Sequence, residues 1–293
     1  MPVYILLADE TNRDPDTSDF FVYGALYFEH DKLPLIHRRV EEIRRKYGYR
    51  PEDELKWTTG GRPDHIDPSS HRNAKSEVVD LAEEINAEFI PVVVAHAVTG
   101  DEDPNRTFRY CIRDALSQFN WFLENVADDF GICAVDPLPS STSDRDILES
   151  VFHTGLNFGS GKTRRLDRIK MIATVSANAS HAASLMDIVL GAFKFCINNP
   201  SYDVCEKMFY QVAGMTKGFT EKNGFYYLYG VMLRPRGIRR NPGPYQSLYK
   251  QLVVDMNDLL ARSKSRTQSG DESAQSESSS VDEFFSPDPD LPF

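Results

Sequence analysis

Apolar runs and helix-spaced apolar positions alternate along this chain from its first residues. Positions 3–8 (VYILLA) are continuously apolar, the pattern of a strand covered on both faces, and 20–28 (FFVYGALYF) read as a second, partly aromatic strand. A helix is expected next, with Asp31 as N-cap and Pro34 in its first turn. Ile36, Val40, Ile43 and Tyr47 keep a helical spacing, and Gly48 is the stop. Residues 48–69 are rich in proline, glycine and charge and read as a long loop around the stretch DELKW. A helix over 70–88 presents Val78, Leu81, Ala82 and Ile85 on one side. The alternation continues with strands over 89–98, 131–136, 169–175 and 225–233, and with helices over 105–127, 143–153, 181–197, 202–214 and 245–262. Such alternation predicts an α/β fold, a mixed sheet flanked by helices.

The body of that fold is expected over 1–263. Residues 264–282 are serine-rich and too polar to bury a core, which predicts a disordered acidic linker, and 283–293 form an acidic, aromatic tip. The formal net charge of −11 argues against a general electrostatic grip on nucleic acid. Seven acids and only two bases fall within 264–293, however, so the body is less acidic than the total suggests and has room for basic patches. Cys111, Cys133, Cys196 and Cys205 show no paired metal spacing and sit in apolar sequence. They predict buried free thiols and a reducing, cytoplasmic compartment. The first residues lack the pattern of a signal peptide and no run approaches a membrane span, so no membrane association is expected.

Acids stand where an ordinary core excludes them. Asp9 directly follows the first apolar run, and Asp136 follows GICAV, with Pro137 ending the strand. Both are expected at the carboxyl ends of central strands, where open α/β sheets bind their ligands. Period-two alternation sends Asp9 and Glu10 to opposite faces. Asp9 is the expected site residue, because Glu10 opens the polar loop that follows. Asp187 lies in AASLMDIVLGAFKFCI, a helix apolar nearly all round. A lone buried carboxylate is costly unless paired or bound to metal; the other reading places Asp187 on a narrow solvated stripe with Lys194. Glu54, in DELKW, is either a fourth member of the site or a solvated loop charge. Converging carboxylates make an oxygen-rich site suited to Mg²⁺ or Mn²⁺, and a pair of such ions supports phosphodiester cleavage.

The order of LLADET, DELKW, AVD and SLMDIVLGA resembles the bacterial and phage family known as domain of unknown function thirty-eight-hundred. That family has an opening DE-(S/A/T) motif, an E-x-K motif, a strand-end Asp and a late Asp-bearing helix, and the resemblance covers roughly residues 1–230. It implies an RNase H-like fold and a metal-dependent nuclease site at Asp9, Glu54, Asp136 and Asp187, with Lys56 orienting substrate or water. Thr11 stands for the commoner Ser, the usual following Gly is absent, and Ser184 replaces the family's Gln. These departures favour a second reading, a non-catalytic adaptor or decoy that binds nucleic acid or protein; the four retained acids favour chemistry. Glu54-Leu55-Lys56 also matches the (D/E)xK half of a restriction-endonuclease site, a reading that leaves Asp136 and Asp187 without a role.

The stretch GSGKT (159–163) invites a phosphate-loop reading, but the position six before Lys162 is Leu156, and the stretch leads into a strand. Lys162, Arg164, Arg165, Arg168 and Lys170 read instead as a basic loop tracking phosphates near the carboxylates. A second cluster, RPRGIRR, supplies Arg234, Arg236, Arg239 and Arg240 beside Phe225, Tyr226, Tyr227 and Tyr229. Aromatics beside arginines stack unpaired bases, unless the strand turns them into the core. Arg38, Arg39, Arg44 and Arg45 read as a solvated helix face, and His181 as a polar helix-start residue or a proton shuttle. Nucleic acid is the expected partner, DNA and RNA both remaining open.

The last letters, DPDLPF, closely resemble the tip of bacterial single-stranded-DNA-binding proteins, an acidic run closing in (Ile/Leu)-Pro-Phe. That resemblance implies docking of Asp288, Asp290, Leu291, Pro292 and Phe293 on proteins that bind such tips. Phe293 would fill an apolar pocket while the aspartates steer toward basic surface, and Pro292 limits the freedom lost. A solubilising tail, or one folding back on the protein's own basic patches, is the alternative. The function expected from the whole is a metal-dependent nuclease recruited to genome-maintenance enzymes.

Overall fold

A computed structural model describes residues 2–11, 19–99, 104–136, 142–157, 163–175, 180–222, 225–234 and 245–267. The first half contains β1 (Val3–Thr11), β2 (Phe20–Glu29), α1 (Leu33–Lys46), α2 (Pro68–Glu84), β3 (Glu88–Ala95), the short α3 (His96–Thr99) and α4 (Pro104–Phe122). Then come β4 (Phe130–Val135), α5 (Thr142–Thr154), the small pair β5 (Leu156–Asn157) and β6 (Thr163–Arg164), and β7 (Ile169–Thr174). The chain continues through α6 (His181–Asn198), α7 (Asp203–Gly214), β8 (Phe219–Lys222), β9 (Phe225–Leu228), β10 (Met232–Arg234) and α8 (Gln246–Thr267). Six strands form one mixed sheet in the order β10-β3-β2-β1-β4-β7. β1, β2 and β3 make an antiparallel meander, β4 runs parallel to β1 and β7 to β4, and β10 lies parallel to β3 at the far edge.

Helices cover both faces, which is why the central strands read as unbroken apolar runs. On one face Leu7, Val22, Leu26 and Val93 meet Val40, Val78, Leu190, Phe209 and Leu252 from α1, α2, α6, α7 and α8. On the other, Leu6, Tyr23, Tyr27 and Val92 meet Cys111, Ala115 and Phe119 of α4. All four cysteines are buried free thiols, and no helix among the described residues is long and apolar enough to cross a membrane. Gly24 of β2 sets the position of α6. A β-carbon there would lie 2.8 Å from Leu190 Cδ1 and 2.9 Å from Met186 Cε, so the glycine lets α6 settle directly onto the sheet. Gly24 pairs with Asp9 in the ladder, so α6 crosses the sheet level with that acid.

Four local expectations are corrected. Asp31 lies in a 3₁₀ turn (His30–Lys32), and α1 begins after it without a side-chain cap. The next helix starts earlier than expected, because Asp67 caps it by accepting from the N–H groups of Ser69 and Ser70. The run 225–233 is not one strand: β9 pairs with β8, a turn intervenes, and β10 joins the main sheet. Phe225, Tyr226 and Tyr227 are buried in the core, and Tyr226 donates its N–H to Asn257 Oδ1 of α8 at 2.7 Å, so they form no base-stacking platform. Finally, α8 continues through Thr267, past the expected start of the linker at 264, and Lys264 bonds both oxygens of Glu221 at 2.8 Å. Lys162, Arg236, Arg239, Arg240, the rest of the linker and the tip residues Asp288, Asp290, Leu291, Pro292 and Phe293 lie outside the described residues.

Candidate carboxylate site

Register puts Asp9 and Asp136 side by side. Ala8 pairs with Val135 across the parallel β1 and β4, and the Asp136 N–H donates to the Ala8 carbonyl at 2.8 Å. The two acids therefore occupy adjacent positions at the same end of neighbouring strands, backbones about 5 Å apart. Alternation gives their direction. Leu6 and Ala8 face α4 while Leu7 faces α6, so Asp9 points toward α6. Cys133 and Val135 face α4 while Ala134 packs on the other side, so Asp136 takes the same face as Asp9.

Asp187 arrives from α6 itself. That helix keeps one half-buried stripe, His181, Ser184, Asp187 and Lys194, and the loop around DELKW covers part of it. Leu55 is buried in the core, so the flanking Glu54 and Lys56 turn to the surface and pair at 2.6 Å. The Trp57 N–H donates to Asp187 Oδ2 at 2.6 Å. Arg44 shapes this loop from α1: it is buried, and its guanidinium donates to the carbonyls of Arg50, Pro51 and Asp53 at 2.7, 3.1 and 2.6 Å. Of the four arginines expected on a solvated face, Arg44 is thus a clamp, whereas Arg38, Arg39 and Arg45 are exposed and pair with glutamates. A cleft of about 850 Å³ runs from Asp187 past Glu54 and Lys56 to His37 and His181. The two histidine rings lie 4.6 Å apart, and His181 Nε2 is 3.4 Å from Glu41; burial lowers the pKa of His181.

The acids act on one another. Burial pushes Asp9 up to about 8, the charges of Glu10, Asp136 and Asp187 push the same way, and the Glu10 N–H, donating to Asp9 Oδ1 at 2.7 Å, opposes them. Burial also raises Asp187, opposed by the Trp57 N–H and by Lys56 and Lys75. Lys56 is raised by its bond to Glu54, then by the charges of Glu54, Asp187 and Asp136. Oxygen donors that repel one another at a strand end fit a hard divalent cation in kind and in charge. In this arrangement Glu54 is committed to Lys56, and no group of three or more His, Cys, Asp or Glu side chains among the described residues is set closely enough to hold an ion.

The basic loop lies elsewhere. The Gly131 N–H donates to the Arg168 carbonyl at 2.9 Å, which places Arg168 at the amino end of β4. Asp136 is at the other end, about 17 Å away along the strand. Arg164 and Arg168 pair with Glu124 and Asp128 at 2.8 and 2.7 Å, while Arg165 is exposed beside Asp167. The expectation that these residues flank the carboxylates is overturned. Arg234 is also removed from any surface patch, being buried against Asp114. Sequence reasoning missed Lys75, Trp57, Gly24 and Gly191. Lys75 had a signal: the spacing His71, Ala74, Val78, Ala82 marks the buried side of α2, and Lys75 falls on it. No family model matches the chain, and no curated protein matches it.

Proposed function

We propose that this chain is a divalent-metal-dependent phosphodiester hydrolase of the RNase H-like class. An antiparallel β3-β2-β1 meander continued by parallel β4 and β7 supports that fold reading. The observation that carries the proposal is the facing of three half-buried acids from three separate elements: Asp9 of β1, Asp136 after β4 and Asp187 of α6. These three would hold Mg²⁺ or Mn²⁺, with Glu54 completing the set. When bound, such ions supply an activated water and stabilise the leaving oxygen. The chain's own groups do the rest. Asp9 keeps its proton up to about pH 8 in the metal-free protein, so cation binding is accompanied by proton release. Lys56, held by Glu54 and drawn toward Asp187 and Asp136, offers its ammonium to a phosphate oxygen. The cleft beyond takes the nucleic-acid strand, DNA or RNA, and the tip with Asp288 and Asp290 ahead of Leu291-Pro292-Phe293 recruits proteins that bind the tip of single-stranded-DNA-binding protein.

Two observations favour the adaptor reading, in which the same face binds without cutting: Glu54 is tied to Lys56, and the acids are not gathered to coordinating distance. Cleavage of single- and double-stranded DNA and RNA with Mn²⁺, by the parent and by Asp9→Ala and Asp187→Ala, separates the two. The expected result is cleavage that requires Mn²⁺ and falls by at least two orders of magnitude in either variant. Cleavage that survives both substitutions would remove the three-aspartate site. Binding without cleavage, equal in all three proteins, would leave the adaptor.

A further inference from the structure

One residue joins the DELKW loop to α6, and a cation from α2 holds that residue in place. The Trp57 N–H reaches Asp187 Oδ2 at 2.6 Å, and the Trp57 carbonyl accepts from Lys75 Nζ at 3.0 Å. The same ammonium sits 4.3 Å from the centroid of the Trp57 ring. The side chain fills the gap left by Gly191, one helical turn beyond Asp187; a β-carbon there would overlap Trp57 Cγ and lie 2.5 Å from its Cδ1. Trp57 is therefore fixed at its N–H, its carbonyl and its ring.

A loop staple does not by itself call for a charged group. Burying an ammonium is costly unless nearby negative charge offsets it, and Lys75 is 7% exposed. Burial lowers its pKa to about 8, and Asp187 is the acid that opposes the shift. Lys75 thus serves Asp187 twice, by its field and by holding the carbonyl of the residue whose N–H grips one carboxylate oxygen. Among the described residues no hydrogen bond engages the other oxygen, which leaves it for a ligand. Groups that orient a ligating carboxylate in this way ordinarily matter to the metal almost as much as the ligand does.

We propose that Trp57 and Lys75 are positioning residues that fix Asp187 for a divalent cation, an inference that rests on the three-aspartate reading above. Lys75→Met keeps an aliphatic stem over the indole and removes the ammonium and its hydrogen bond. Gly191→Ala reaches the same lock independently, by expelling the ring while Lys75 stays. Two measurements on the full chain decide the matter. In the metal-free protein, hydrogen exchange of the Trp57 amide should rise about tenfold in either variant, as it should in Asp187→Ala, with a melting temperature within a few degrees of the parent's. With Trp121→Phe as background, leaving Trp57 the lone tryptophan of the two in the chain, Mn²⁺ affinity is read from quenching of Trp57 fluorescence. It should fall roughly 10–100-fold in Lys75→Met, with kcat falling and KM for nucleic acid unchanged. Parent-like exchange and parent-like Mn²⁺ affinity in both variants would overturn the proposal. A parent that binds no Mn²⁺, while Lys75→Met still loosens the Trp57 amide, would instead overturn the metal reading and leave the hold on Asp187 standing.

Discussion

Replacing Asp9 by Asn in the metal-free protein is expected to stabilise it by an amount that grows with pH. Folding lifts the Asp9 carboxyl from its ordinary value near 4 to about 8, first through burial and then through Glu10, Asp136 and Asp187. Between those two values the unfolded chain has released the proton and the folded chain retains it. Because the folded pKa is the higher one, the associated stability is complete below about pH 4 and lost as pH rises to about 8, at about 1.4 kcal/mol per unit. The four units give a ceiling of about 5 kcal/mol. The amide of the Asp9→Asn protein has nearly the same volume and no proton to lose. Urea unfolding in EDTA should therefore show a stability gap near zero at pH 4, about 3 kcal/mol at pH 6 and close to the ceiling at pH 9. Millimolar Mn²⁺ should narrow the gap by stabilising the parent alone. A gap that stays flat from pH 5 to 9 would show that Asp9 is not held among like charges. A pH-dependent gap indifferent to Mn²⁺ would keep the burial and discard the cation.

Gly24→Ala places a β-carbon against Leu190, Met186 and Phe89; it should cost about 1–3 kcal/mol and weaken Mn²⁺ binding by moving Asp187 off Asp9. Urea melts and a Mn²⁺ titration read both effects, and a neutral substitution would mean that α6 does not rest on that glycine. Deleting residues 283–293 should leave the melting temperature unchanged while abolishing capture of purified proteins that bind the single-stranded-DNA-binding protein tip. Equal capture by the shortened chain would refute the recruitment reading.

The α/β alternation was legible because strands covered on both faces are apolar at every position, as in VYILLA, while α1 and α2 face water on one side and show it as helical spacing. The split of 225–233 was harder to read, since an apolar run does not say which sheet its halves join. Gly230 was the one sign, as it stands in the turn where a β-carbon would overlap the Lys217 carbonyl. The misplacement of the basic loop has a sharper cause. With β7 parallel to β4, the chain must return to the amino end of β4 before β7 begins. Residues just before Ile169 therefore lie at the opposite end of the sheet from Asp136, however close in sequence. Parallel pairing was the missing fact, and apolar runs alone do not supply it.

The sequence offers two readings of Asp187, a buried acid and a member of a polar stripe, and each is half of the arrangement. The stripe exists, but the loop carrying Trp57 lies over it, and what admits that loop is Gly191. Gly24 does the same for the helix as a whole, so two missing side chains bring Asp187 level with Asp9. The protein then treats the two acids unequally. Asp187 receives a backbone N–H and the fields of two lysines, whereas Asp9 receives one N–H from Glu10 against three like charges. A sequence selected for stability alone would place Asn or an apolar residue at position 9, since the ionised form is opposed by nearly everything around it. An acid there breaks a local rule of the kind that functional sites break, and this supports the proposed role of Asp9.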